Sequence, residues 1–141
     1  MKQLDVIEPI DEPTEWCSPI VVVLRAYGRV RICVDLTRFN EAFRREVYQM
    51  PTIEETLGSL TEGTVFSKLD VNSGFHQIVL SPESAKLITT FITPFGRHMF
   101  KRLTFDISSA PEYFQKRVYK EFSGIERNKC RMDDILVIER D

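Results

Sequence analysis

The sequence predicts an α+β protein, a largely antiparallel sheet with packed helices, and three observations carry that expectation. Short β-branched runs alternate irregularly with helical patterns; two pairs of runs are joined by glycine-containing turns; and residues 109–124 carry a four-residue apolar period between a start and a stop signal. The 141 residues suffice for one domain or for a piece of a larger one. Ten Phe and four Tyr supply large core side chains.

Met1 to Pro19 holds three of the seven prolines and reads as an extended lead-in crossing a surface. Ile20 to Leu24 and Val30 to Val34 flank Ala26-Tyr27-Gly28 as a hairpin. Pro51 to Leu60 predicts a short helix with Ile53, Leu57 and Leu60 on one side. Val65 to Leu69 is an apolar strand delivering Asp70 at its end, and Ile78 to Leu80 another, followed by a Ser-Pro-Glu-Ser turn. Thr89 to Thr93 and His98 to Arg102 form a second hairpin around Pro94-Phe95-Gly96. The clearest helix starts at Ser109, with Pro111 in its first turn and Glu112 as capping-box partner. It buries Phe114, Val118 and Phe122 and stops at Gly124. Lys129 to Met132 and Ile135 to Ile138 are strands around Asp133-Asp134.

A net charge of -2 argues against a protein that coats nucleic acid. It leaves room for a site in which local acid and local base cancel. Cys17, Cys33 and Cys130 are odd in number and widely spaced, so free buried thiols are expected rather than a disulfide framework or zinc site. The longest apolar run, Ile20 to Leu24, is too short to span a bilayer, and the N-terminus lacks the basic, greasy start of a signal peptide. A cytoplasmic or nuclear protein, neither secreted nor membrane-bound, is the expectation.

Met132-Asp133-Asp134-Ile135-Leu136-Val137 is the most informative segment. A tight strand turn ordinarily takes Asn-Gly or Asp-Gly, and two adjacent carboxylates repel unless a cation is present. Two magnesium ions about 4 Å apart, held by these acids and a third carboxylate, would suit in-line phosphoryl transfer. Asp70, at the end of its strand, is the candidate third ligand. An exposed turn with ordinary acids is the plainer reading of the pair alone.

Further segments bear on that choice. These are EWCSPIV (Glu15 to Val21), RICVDLTRFN (Arg31 to Asn40), MPTIEE (Met50 to Glu55), FSKLDVNSGFHQI (Phe66 to Ile78), TPFG (Thr93 to Gly96), SSAPEYFQ (Ser108 to Gln115) and MDDILV (Met132 to Val137). In this order they resemble the reverse transcriptase (RNA-directed DNA polymerase) domain of gypsy-like long-terminal-repeat retrotransposon Pol polyproteins, over essentially the whole chain. The resemblance implies one partial domain of a right-hand polymerase, with 1–64 mostly fingers, 65–141 mostly palm with some fingers, and the thumb absent.

The resemblance also implies roles. Asp70, Asp133 and Asp134 match the family's catalytic carboxylates for two Mg2+ ions, with Mn2+ as a substitute. Arg31 matches a fingers arginine for the incoming triphosphate, with Arg25 as a second candidate; Phe75 matches the bulky residue that excludes a 2′-hydroxyl. Val71 and Phe105 fall with the nucleotide-binding residues, and Gln115 with those near template and primer. Implied partners are an RNA or DNA template-primer, deoxynucleoside triphosphates and the rest of a Pol polyprotein: thumb, connection, ribonuclease H and integrase.

Two departures from the family pattern point the other way. Arg131 stands where Tyr is usual, bringing a positive charge beside the acids. Leu103-Thr104-Phe105-Asp106-Ile107 replaces Leu-Pro-Phe-Gly-Ile or Leu, so that Asp106 would oppose a triphosphate by roughly 4 kcal/mol at 4 Å and an effective dielectric near 20. With the chain ending at Asp141, a fragment inactive alone is the expectation. The alternative is a retrotransposon relic or captured domain that only binds nucleic acid or protein. An unrelated magnesium phosphohydrolase would explain the acids but none of the other segments.

Overall fold

The computed structural model describes residues 4–24, 26–45, 47–58 and 63–139. Two compact units interleave along the chain: 1–45 with 75–110, and 46–74 with 111–141.

In the first unit, β2 (Ile20–Leu24) and β3 (Val30–Val34) form the expected antiparallel hairpin, with Val22 opposite Ile32. Tyr27 takes a left-handed φ of 65° in the turn. A separate three-stranded sheet has the order β1-β6-β5. Its β5 (Phe91–Thr93) and β6 (Gly96–Phe100) are the second expected hairpin. Gly96 supplies the positive φ of 109° that this turn demands.

The lead-in is more than an extended passage. Ile7–Ile10 forms β1, paired antiparallel with β6 from Ile7↔Phe100 to Ile10↔Arg97. Ionic contacts hold its start: Lys101 Nζ lies 2.6 Å from Asp5 and 3.5 Å from Glu8. Prolines at 9 and 13 mask a strand whose register is set by its partner.

Thr37–Ala42, for which the sequence offered no reading, is a short helix, α1. Three expectations change in this unit. Ile78 to Leu80 is not a strand but a single bridge, Val79↔Arg102. Ser81, Pro82 and Glu83 are no free turn: Ser81 caps α3 (Pro82–Thr89) by accepting from the Ser84 N–H, with Pro82 in the first turn. Thr89 thus ends a helix instead of starting a strand. Its buried hydroxyl lies 2.6 Å from the Ala85 carbonyl and 2.9 Å from that of Phe100, and accepts from the Phe100 N–H at 3.0 Å. The core gathers Val6, Val34, Leu36, Phe91, Phe100, Leu103 and Ile107.

The second unit is built on a three-stranded antiparallel sheet of order β4-β8-β7. These strands are Val65–Asp70, Asp134–Glu139 and Asn128–Arg131. Helix α4 (Ala110–Phe122) buries Phe114 as expected, and Gly124 ends the segment with φ 95°. Helix α2 (Ile53–Gly58) opens on a reciprocal capping box: the Thr52 N–H donates to Glu55 at 2.8 Å, and the Glu55 N–H to the Thr52 hydroxyl at 3.1 Å. Leu60, expected on its apolar side, lies outside the described residues. Phe66, Leu69 and Val137 remain substantially exposed on this sheet.

Candidate metal and nucleotide site

The site begins with strand register. β4 runs antiparallel to β8 from Val65↔Glu139 to Asp70↔Asp134, so Asp70 and Asp134 are directly opposed. Opposed residues share a face with Cβ atoms about 5 Å apart, where like charges repel. Beyond that pair, the Val71 N–H donates to the Asp133 carbonyl at 2.7 Å. Asp70 and the sequence-distant Asp133-Asp134 pair therefore lie at the same end of one sheet.

The β7–β8 connection is tighter than a four-residue turn of acids. Arg131 pairs with Asp134, leaving Met132 and Asp133 as the two loop residues. Met132 takes a left-handed φ of 52°, as does Ser73 (φ 51°) after Asp70. Non-glycine residues in that region carry strain that the surroundings must hold in place. Gln115 does so for the loop: its buried amide accepts from the Met132 N–H at 2.6 Å and donates to the Cys130 carbonyl at 2.9 Å. The residue placed near template and primer by resemblance is thus committed to the backbone beneath the acids.

Gly74 closes the other side. A Cβ there would lie 2.6 Å from the Phe114 ring and closer still to Asp133 Oδ1, so only glycine fits. That Asp133 oxygen is buried with no hydrogen-bond partner. Burial raises the Asp133 carboxyl pKa above its ordinary value, and the charges of Asp70 and Asp134 push the same way. An orphaned, repelled carboxylate oxygen beside two further carboxylates is a donor set suited to a hard divalent cation. Among the described residues, no three His, Cys, Asp or Glu side chains are already gathered closely enough to hold an ion. Asp134 instead leans on Lys68, whose Nζ lies 3.0 Å from its Oδ1.

In the first unit, the Arg31 guanidinium sits 3.6 Å above the centre of the Phe105 ring. A planar cation stacked this way keeps its fork of N–H donors aligned for an anion. Asp106 lies beside it: its Oδ2 accepts from the Val34 N–H at 3.3 Å, and its carbonyl accepts from Asn40 at 2.9 Å. Burial raises the Asp106 pKa, opposed by the Val34 N–H, the Arg31 charge and Cys33. The acid that replaces glycine is thereby anchored to β3. Phe75 packs against the apolar core of the same unit. Arg25 lies outside the described residues. Sequence reasoning overlooked Lys68, Gly74 and the bracing part of Gln115; a Lys two residues before the strand-end Asp, on the same face, was the available signal for the first.

An α+β chain of antiparallel sheets whose strand register sets Asp70 opposite Asp134, with Asp133 in the adjoining loop, defines a class, and comparison with known proteins supplies the family. No family model matches. The chain is 33% identical over 141 aligned residues to the retrovirus-related Pol polyprotein from transposon 412 of Drosophila melanogaster, covering 94% of this chain and 11% of that one. It belongs to this family of retroviral and retrotransposon Pol proteins, and spans about a tenth of that relative's length. In structure it is similar to the protease-reverse transcriptase of prototype foamy virus. The TM-score is 0.83 at 21% identity, over 99% of this chain and 18% of the other. A foamy viral protease-reverse transcriptase in complex with an RNA/DNA hybrid matches at TM-score 0.78 and 22% identity, over 96% of this chain and 18% of that one. No helix of the described residues is long and apolar enough to cross a membrane.

Proposed function

We propose that this chain is the fingers and the catalytic half of the palm of a reverse transcriptase, and that its reaction is template-directed transfer of a deoxynucleotide. The observation that carries the reading is the meeting of Asp70 with Asp133 and Asp134 across β4 and β8. These three side chains would hold two Mg2+ ions, or Mn2+ in their place. Bound there, such ions would supply a lowered pKa for a primer 3′-hydroxyl and neutralising charge for the triphosphate.

The chain's own residues do the rest. Gly74 leaves room for the Asp133 carboxylate, and Gln115 fixes the loop that presents it. Arg31, stacked on Phe105, offers parallel N–H donors to phosphate oxygens. Val71, tied to the loop through its N–H, is assigned to the nucleotide, Phe75 to the exclusion of a 2′-hydroxyl, and Arg25 to the triphosphate. Template-primer is the proposed nucleic-acid partner, in keeping with the RNA/DNA hybrid bound by the foamy viral relative. Grip on the duplex falls to the thumb and connection of the surrounding Pol polyprotein, with ribonuclease H and integrase beyond.

A second reading, a relic or captured domain that binds nucleic acid or protein without catalysis, draws on the Lys68–Asp134 pair and on Asp106 beside Arg31. Primer extension by this segment joined to a thumb and connection separates the two. Magnesium-dependent extension of a primed RNA template that is abolished by Asp133→Asn establishes the enzyme. Template binding without extension in that joined protein, unchanged by Asp133→Asn, establishes the binding module.

A further inference from the structure

Lys68 stands on β4 two residues before Asp70, so both side chains lie on one face of the sheet, the face that Asp134 shares as the partner of Asp70. Its ammonium reaches diagonally across to Asp134 Oδ1 at 3.0 Å. Among the described residues it is the cation ion-paired with this cluster. Elsewhere in the cluster, Asp133 Oδ1 has no partner, and the acids are not gathered as a ligand set. The ammonium occupies a lone pair of the oxygen that a divalent ion would need. Both side chains are more than half exposed, so the pair can exchange readily with solvent and ions.

We propose that Lys68 is a built-in counter-ion of the carboxylate cluster: it holds Asp134 while no divalent cation is bound, releases it when one arrives, and so sets the cluster's affinity for divalent cations. The inference rests on the reading of Asp70, Asp133 and Asp134 as metal ligands. Lys68 is a positioning residue, acting through Asp134 without touching substrate. Its ammonium costs the cluster affinity by competition, and in return relieves the repulsion that would otherwise spread the opposed acids apart.

The test is titration of the 141-residue chain with Mn2+, followed by the electron paramagnetic resonance signal of the free ion. A parallel melting curve is recorded in a chelator. Lys68→Met is expected to tighten Mn2+ binding roughly two- to fivefold, the range that a solvated ion pair can withhold. It should also lower the melting temperature in chelator, with the deficit shrinking in Mn2+. Arg131→Met removes the same charge from the residue paired with Asp134, without breaking this ion pair, and should change binding less. In an Asp134→Asn background, Lys68→Met should have no effect on affinity.

Equal tightening by Lys68→Met and Arg131→Met, or a Lys68→Met effect that survives Asp134→Asn, overturns the counter-ion role and leaves only a general field. Unchanged affinity in Lys68→Met, with wild-type binding abolished by Asp133→Asn, overturns Lys68 alone. Mn2+ binding that ignores Asp70→Asn and Asp133→Asn overturns the ligand assignment, and the Lys68 proposal with it.

Discussion

Replacing Gly74 by Ala tests how closely the acid cluster is built. The added methyl would sit 2.6 Å from the Phe114 ring and nearer still to Asp133 Oδ1, distances no real Cβ tolerates. Phe114 is only 2% exposed and cannot swing away, so the loop carrying Asp133 must give. Overpacking of this kind costs roughly 1–3 kcal/mol, a fall of about 4–12 °C in Tm for a chain of this size. The displaced carboxylate should also lose affinity for divalent cations by about tenfold or more, as when a residue supporting a ligand is changed. Calorimetry with and without Mn2+, beside a binding titration, reads both effects. A Gly74→Ala chain with wild-type Tm and wild-type affinity would refute the packing of Asp133 against Gly74.

Other expectations follow from single contacts. Gln115→Leu fills the same space but orphans the Met132 N–H and the Cys130 carbonyl; a loss of roughly 1–3 kcal/mol by denaturant unfolding is expected, with faster amide exchange at Met132. Thr89→Val strips the partner from the buried Phe100 N–H and should cost a similar amount, about 1–3 kcal/mol. Asp133→Asn should stabilise the cation-free chain at pH 7. The folded chain holds the Asp133 proton more tightly than the unfolded one, so ionisation costs stability. That cost is absent below the ordinary value of 3.8 and complete once pH has passed the raised folded value. Melting in chelator across this range should show the advantage of Asp133→Asn disappearing as pH falls towards 3.8.

The legible parts of the fold were those whose signals are local. Both hairpins announced themselves by β-branched runs around glycine turns, and α4 by its apolar period and the glycine that follows. Val65 to Asp70 was readable as a strand from Val65, Phe66 and Leu69, although Ser67 and Lys68 interrupt these apolar residues. β1 was hidden because its register comes from β6, about ninety residues on, and two prolines obscured it. Thr89 and Thr90 favour strands by propensity, yet the Ser81 cap and Pro82 start a helix that the buried Thr89 hydroxyl ties to β6. Tertiary packing overrode propensity there.

In the site, residue types pointed to Asp70 and the adjacent pair, and β4–β8 register brings them together. Sequence could not show how Asp106 is accommodated. Its carboxylate accepts from the Val34 N–H in β3, a contact set by strand placement seventy-two residues away. Nor could it show that Arg131 would leave the ion pair to Lys68, a matter of diagonal reach between adjacent strands.

The central claim is that Asp70, Asp133 and Asp134 form one cation-binding pocket. Anomalous diffraction from a crystal of this chain soaked in Mn2+ tests it most directly. The account predicts peaks within coordination distance of Asp70 and of the Asp133-Asp134 pair, with Lys68 withdrawn from Asp134. Well-ordered carboxylates without a peak between them, or manganese bound only elsewhere, would contradict it.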